Sequence, residues 1–91
     1  MKKPEMVAAV AERSNLSSKD ATKAIDAVFE TIRDTLKAGD EVRIGNFGVF
    51  VAVDRPESMG RDPRSGEPIK IKAARVPKFR AGKPLRDALN S

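Results

Sequence analysis

Arg55 to Gly82 reads RPESMGRDPRSGEPIKIKAARVPKFRAG, a long cationic stretch almost without large apolar side chains. At its centre, Asp62-Pro63-Arg64-Ser65-Gly66 sets Pro where a type I turn wants a fixed φ. Gly follows three residues later, where a positive φ is needed. Strand-like sequence runs away on both sides, so the stretch predicts a hairpin with its tip at Pro63 to Gly66. A hairpin without an apolar face has nothing to pack on its own domain and must project. An arginine-lined projecting ribbon has the chemistry to wrap a polyanion, which points to nucleic acid rather than to a catalytic pocket.

Outward from the hairpin, the periodicity of the chain changes twice. On the N-terminal side Val42 and Ile44 alternate with Glu41 and Arg43, and Gly45, Asn46 and Gly48 bracket Phe47. Val49 to Val53 then reads as a second strand. On the C-terminal side Ile69 and Ile71 alternate with Lys70 and Lys72, a strand with one basic face, and Phe79 closes the sheet region. Further out the period is helical. Pro4 suits a first helical turn, and Met6, Val7, Val10 and Ala11 give a short stripe to about Arg13, broken at Ser14-Asn15. Ser17 is placed to cap a second helix, with Asp20 at the capping-box position. That helix carries Ala21, Ala24, Ile25, Val28, Phe29, Ile32 and Leu36, and Gly39 ends it. Gly82 and Pro84 open a short last helix with Leu85, Ala88 and Leu89. The expected order is α-α-β-β-β-α, an α+β domain over residues 1–91, with a body of 1–53 and 79–91 and an arm of 54–78.

Ninety-one residues make one small domain. Setting the arm aside leaves 66 residues, fewer than the ~70–80 at which a lone core is comfortable. There is no Cys for a disulfide and no His or Cys cluster for a structural metal. A partner subunit is the remaining way to bury enough apolar surface, so the chain is expected to be a dimer. No apolar run suits a signal peptide or a membrane span, and a cytosolic protein is expected.

The net charge of +5 is unevenly distributed. Residues 1–40 balance seven basic against seven acidic groups, residues 41–68 carry four against five, and residues 69–91 carry seven against one. Lys70, Lys72, Arg75, Lys78, Arg80, Lys83 and Arg86 therefore read as an electrostatic footprint for phosphates rather than an ordinary solvated face. Arg55, Arg61 and Arg64 surround the arm tip, and a flat guanidinium suits the narrow, electronegative minor groove. Pro63 is a turn former by default and, at the end of a cationic ribbon, also a rigid apolar wedge for a base step.

Other arrangements compete with this one. Helix, break, helix between Pro4 and Leu36 has the outline of a helix-turn-helix reader. The second helix, however, is charge-balanced with a broad apolar face, which suits a core or dimer helix. Phe47, Phe50, Phe79 and Phe29 could stack bases as an exposed platform. Four rings in so small a chain read better as core, together with Ile32 and Leu36 at the dimer interface. An enzyme finds no nucleophile–base pair, phosphate-binding glycine loop or metal spacing, and no cofactor is implied. A basic binder of structured RNA is the more serious competitor.

Taken together, Gly45-Asn46-Phe47-Gly48-Val49-Phe50, Arg55, Gly60-Arg61-Asp62-Pro63-Arg64-Ser65-Gly66-Glu67, Ile71-Lys72-Ala73 and Pro77-Lys78-Phe79-Arg80-Ala81-Gly82-Lys83 resemble the HU family of bacterial histone-like proteins. The similarity runs in register from Lys3 to Asn90, and the tip motif is highly specific. The resemblance implies an intertwined homodimer or heterodimer with a helical base and two β-ribbon arms that embrace the minor groove of double-stranded DNA. HU and IHF are themselves standard examples of minor-groove proteins that insert such wedges. Pro63 would be the intercalating residue, with Arg55, Arg61 and Arg75 along the groove and Lys3, Lys83 and Arg86 on the phosphates. The function implied is bending and compaction of the chromosome without sequence preference, in the nucleoid of the cytoplasm. A sequence-preferring IHF-like factor is the alternative. Ser58 and Met59 stand where the family often has a basic residue, and Asp62 where it usually has Asn, which sets a negative charge beside the wedge.

Overall fold

The computed structural model describes residues 1–91. The order is α1 (Lys3–Ser14), α2 (Ser18–Lys37), β1 (Val42–Ile44), β2 (Gly48–Arg55), β3 (Ser58–Arg61), β4 (Pro68–Ile71), β5 (Ala74–Ala81) and α3 (Lys83–Leu89). Two compact units divide the chain, Met1–Asp34 and Thr35–Ser91, so the second begins within the last turn of α2.

In the first unit the helix ends follow from local chemistry. Pro4 lies in the first turn of α1, where a missing N–H leaves no helical bond unmade. Asn15 ends the helix in the left-handed region at φ 56°, and Leu16 N–H returns to Ala11 O at 3.0 Å. The Ser14 hydroxyl donates back to Val10 O. Ser17 Oγ accepts from Asp20 N–H at 3.1 Å, the expected cap of α2. Lys3 pairs with Asp26 at 2.6 Å. Ala21 and Ile25, both on α2, are the buried hydrophobic side chains.

The second unit opens on the close of α2. Gly39 takes φ +91°, its N–H reaches Leu36 O at 3.0 Å, and Asp40 N–H reaches Thr35 O at 3.1 Å. A three-stranded antiparallel sheet follows in the order β1-β2-β5, and β3 and β4 form a separate two-stranded ribbon. Each long strand expected from the sequence is thus cut in two, at Pro56-Glu57 on the way out and Lys72-Ala73 on the way back. Pro56 stands at the break and has no N–H to give to a ladder, whereas Pro68 and Pro77 are accommodated within paired strands. The register does not slip there. The residue numbers of every pair add to the same total, from Gly48–Ala81 through Arg55–Ala74 and Ser58–Ile71 to Arg61–Pro68, so no bulge intervenes.

Alternation gives the sheet two unlike faces. Val42, Ile44, Phe50 and Phe79 share one, and Phe79 stacks tilted against Phe50 and Phe47 at centroid distances of 4.8 and 5.4 Å. Gly48 lies beneath that cluster. A Cβ there would come within 2.5 Å of both the Phe79 ring and the Arg80 carbonyl oxygen. Strand β5 runs on past Phe79 to Ala81. A single chain does not close the aromatic cluster, since Phe47 is 45% and Phe79 41% exposed. On α2, Val28 and Phe29 are 52% and 54% exposed. Three of the four rings read as core, Phe47, Phe50 and Phe79, cluster, but within one chain they form a face rather than an interior.

Candidate nucleic-acid interface

The end of the ribbon is built by four hydrogen bonds. Asp62 N–H donates to Glu67 O and Gly66 N–H to Asp62 O, each at 2.8 Å. Asp62 Oδ1 accepts from Arg64 N–H at 2.8 Å, and Ser65 Oγ from Glu67 N–H at 3.3 Å. These are the short-range side-chain turns that Asp and Ser favour, and Gly66 supplies the positive φ, +74°. The loop presents Pro63 and Arg64 to solvent at the extremity of the hairpin. Arg61 Nη1 donates to Gly66 O at 3.0 Å, which braces the loop from its last strand residue.

Along the ribbon, Ile69 and Ile71 lie on one face, opposite Gly60 and Ser58, and Ile71 covers Gly60 closely. A narrow apolar strip thus stiffens a ribbon that composition alone presents as bare. Lys70 shares the other face with Met59 and pairs with Glu57 at 3.2 Å. Arg55 Nη2 reaches across the ladder break to Lys72 O at 3.3 Å. The break opens a notch of about 390 Å³, lined by Asp54, Arg55, Pro56, Ala73, Ala74 and Arg75.

On the sheet, the face away from the phenylalanines carries Arg80 and Lys78 opposite Val49 and Val51, with Arg55 further along β2. Arg43 joins it from the edge strand, opposite Val49, with its guanidinium paired to Glu41 at 2.9 Å. Sequence reading passed over Arg43 because its neighbours Glu41 and Asp40 make that segment look neutral. The signal was the alternation itself, which sets Arg43 out of phase with Val42 and Ile44. Arg64, Lys72, Lys78, Arg80 and Arg86 have no carboxylate within ion-pair distance. None of these five charges is met by a carboxylate at close range, a condition that favours uptake of phosphates. Beyond Arg55, Arg61 and Lys70, described above, three further candidates are partly engaged. Lys83 pairs with Asp87 at 2.9 Å, Lys3 with Asp26 in the first unit, and Arg75 gives its guanidinium to the backbone at Leu36 and Lys37.

Three helices, a sheet with one cationic face and an unbulged ribbon ending in an exposed proline define a class: small α+β proteins that offer a basic β-ribbon to a polyanion. Within that class the chain belongs to the bacterial DNA-binding protein family, whose sequence pattern matches residues 1–90. It is 52% identical to DNA-binding protein HU 1 of Bacillus subtilis over 89 residues, covering 98% of this chain and 97% of that one. It is 50% identical to DNA-binding protein HRL18 of Rhizobium leguminosarum over the full length of both. Among solved structures it is similar to an Anabaena HU–DNA cocrystal structure, with a TM-score of 0.93 at 39% identity over 98% of this chain and 97% of that one. HU from Thermotoga maritima superposes with a TM-score of 0.71 at 28% identity, covering 98% of each chain.

Proposed function

We propose that this chain is a non-sequence-specific architectural DNA-binding protein that wraps the minor groove of duplex DNA with its ribbon and bends it. The observation that carries the reading is the ribbon and adjoining sheet face, cationic and largely without internal counter-charge, with a proline held exposed at the extremity. Arg55, Arg61, Arg64, Lys70 and Lys72 line the arm, and Lys78, Arg80, Lys83 and Arg86 extend the footprint. Lys3 lies on a separate unit and would meet phosphate by exchanging its partner Asp26. Pro63 unstacks a base step and holds the kink open.

The same reading makes the working unit a dimer, a homodimer or a pair with a paralogue. Half-exposed Phe47 and Phe79, with exposed Val28 and Phe29, are more apolar surface than so small a body leaves in water. Compaction of the chromosome in the cytoplasm is the setting this chemistry serves.

Binding titrations on several unrelated duplexes, a nicked duplex and a structured RNA test the reading. With on the order of 6–10 phosphates neutralised, affinity is expected to fall ~10³–10⁵-fold between about 50 and 200 mM salt, with little dependence on sequence. A strong preference for one sequence, or for RNA, overturns it.

A further inference from the structure

Arg75 stands apart from the other cations of β5. Its Nη2 donates to Leu36 O at 2.9 Å and its Nη1 lies 3.4 Å from Lys37 O. Leu36 and Lys37 are the last two residues of α2, where the helix dipole presents its negative end, and Leu36 O also accepts the Gly39 N–H. A planar guanidinium suits two adjacent carbonyls at once, whereas an ammonium is a single point charge. On the sheet, Arg75 pairs with Asp54, one step inside the end of the ladder at Arg55–Ala74, and it lines the notch where the ribbon begins.

We propose that Arg75 is a positioning residue rather than a groove contact: it clasps the root of the ribbon to the last turn of α2 and so fixes how the ribbon leaves the sheet. For Arg75 to meet DNA it would have to surrender one charge-assisted bond and a longer second contact for one phosphate. Lys78 and Arg80, further along the same strand, need surrender nothing. The effect on DNA rests on the DNA-wrapping reading above, but the clasp itself belongs to the free protein.

The test compares Arg75→Lys and Arg75→Ala with the parent in three measurements. These are amide hydrogen exchange of the free protein, the salt slope of duplex binding, and the bend read by end-to-end fluorescence transfer. Loss of the clasp is expected to speed exchange at Gly39 and Asp40 by about two- to five-fold. It is also expected to reduce the bend while leaving the salt slope at the parent's value. Arg75→Lys is the sharper variant, since it keeps the charge that a phosphate contact needs and loses the fork that two carbonyls need. If Arg75→Lys matches the parent in exchange and bend, the clasp is refuted. It is equally refuted if Arg75→Ala lowers the slope by about one ion with exchange unchanged. Should Arg75→Ala fail to fold, the lysine variant decides. Should the parent itself not bind duplex DNA, the functional reading fails while exchange still decides the clasp.

Discussion

Asp62 is pulled two ways. Its carboxylate accepts from Arg64 N–H and shapes the loop that displays Pro63, yet its charge faces the polyanion that the loop would enter. Asparagine keeps the acceptor and drops the charge. Asp62→Asn is therefore expected to bind duplex DNA more tightly with the tip intact. Asp62→Ala loses a bond worth about 1 kcal/mol and is expected to show faster amide exchange at Arg64 and Gly66. Pro63 carries no charge, so Pro63→Ala should reduce bending on intact duplex and leave the salt slope in place. Arg61→Ala should lower that slope by about one ion. Equilibrium titrations over a salt series, run beside a bending assay, separate these effects. Normal bending by Pro63→Ala would leave Pro63 as a turn residue alone. The turn itself was legible in the sequence, because Pro63 and Gly66 dictate backbone angles locally. The hydrogen bond of Asp62 was not, since a sequence displays its charge more readily than its lone pairs. Gly48 was legible only as a turn residue. Its real constraint is the Phe79 ring and the Arg80 carbonyl, some thirty residues away in the chain. Gly48→Ala should cost about 1–3 kcal/mol as an overpacking change, read from denaturant unfolding.

Helix ends are the elements that the sequence specified best, because capping is decided within a few residues. Ser17 accepts from Asp20 N–H, and Asn15 and Gly39 take left-handed backbone at the two C-termini. Ser17→Ala is expected to cost about 1 kcal/mol, seen as a lower urea midpoint at fixed protein concentration. Strands were harder to delimit. Alternation located β1 and the basic face of β4, but the cut at Pro56 and Lys72-Ala73 depends on what lies opposite, and that needs the register. The clasp of Arg75 on the end of α2 spans 38 or 39 positions in sequence. No local pattern announces such a contact, so Arg75 looked like one more basic residue among many. Arg43 is the converse case, a cation hidden by acidic neighbours and set among Arg80 and Lys78 only by strand pairing.

For the molecule as a whole, the proposed dimer carries the stability that one chain cannot supply. Its unfolding midpoint should rise with protein concentration, because folding and association are linked. A midpoint independent of concentration at micromolar levels would leave the chain a stable monomer. Phe79→Ala measures the same thing from inside. Truncating a phenylalanine that is fully enclosed costs about 3–5 kcal/mol, whereas a ring left 41% exposed should cost distinctly less. A loss in the upper range, measured on the assembled protein, places the ring within the interface. The apolar pattern picked out Phe47, Phe50 and Phe79, which do cluster, but how far they are covered is a property of the assembly.

The unbroken register of the hairpin limits how an arm of this kind can change in length. With no bulge to absorb a mismatch, residues can be added or removed only in equal numbers on the outgoing and returning strands. Within β3 and β4 the steps must also be even, or Ile69 and Ile71 would exchange faces with Lys70. A single-residue deletion on one strand would turn the isoleucines toward the side that now carries the charge. Reach along DNA is therefore quantised for such a ribbon, and designed variants with longer arms should be built in matched two-residue increments between the tip and Pro56.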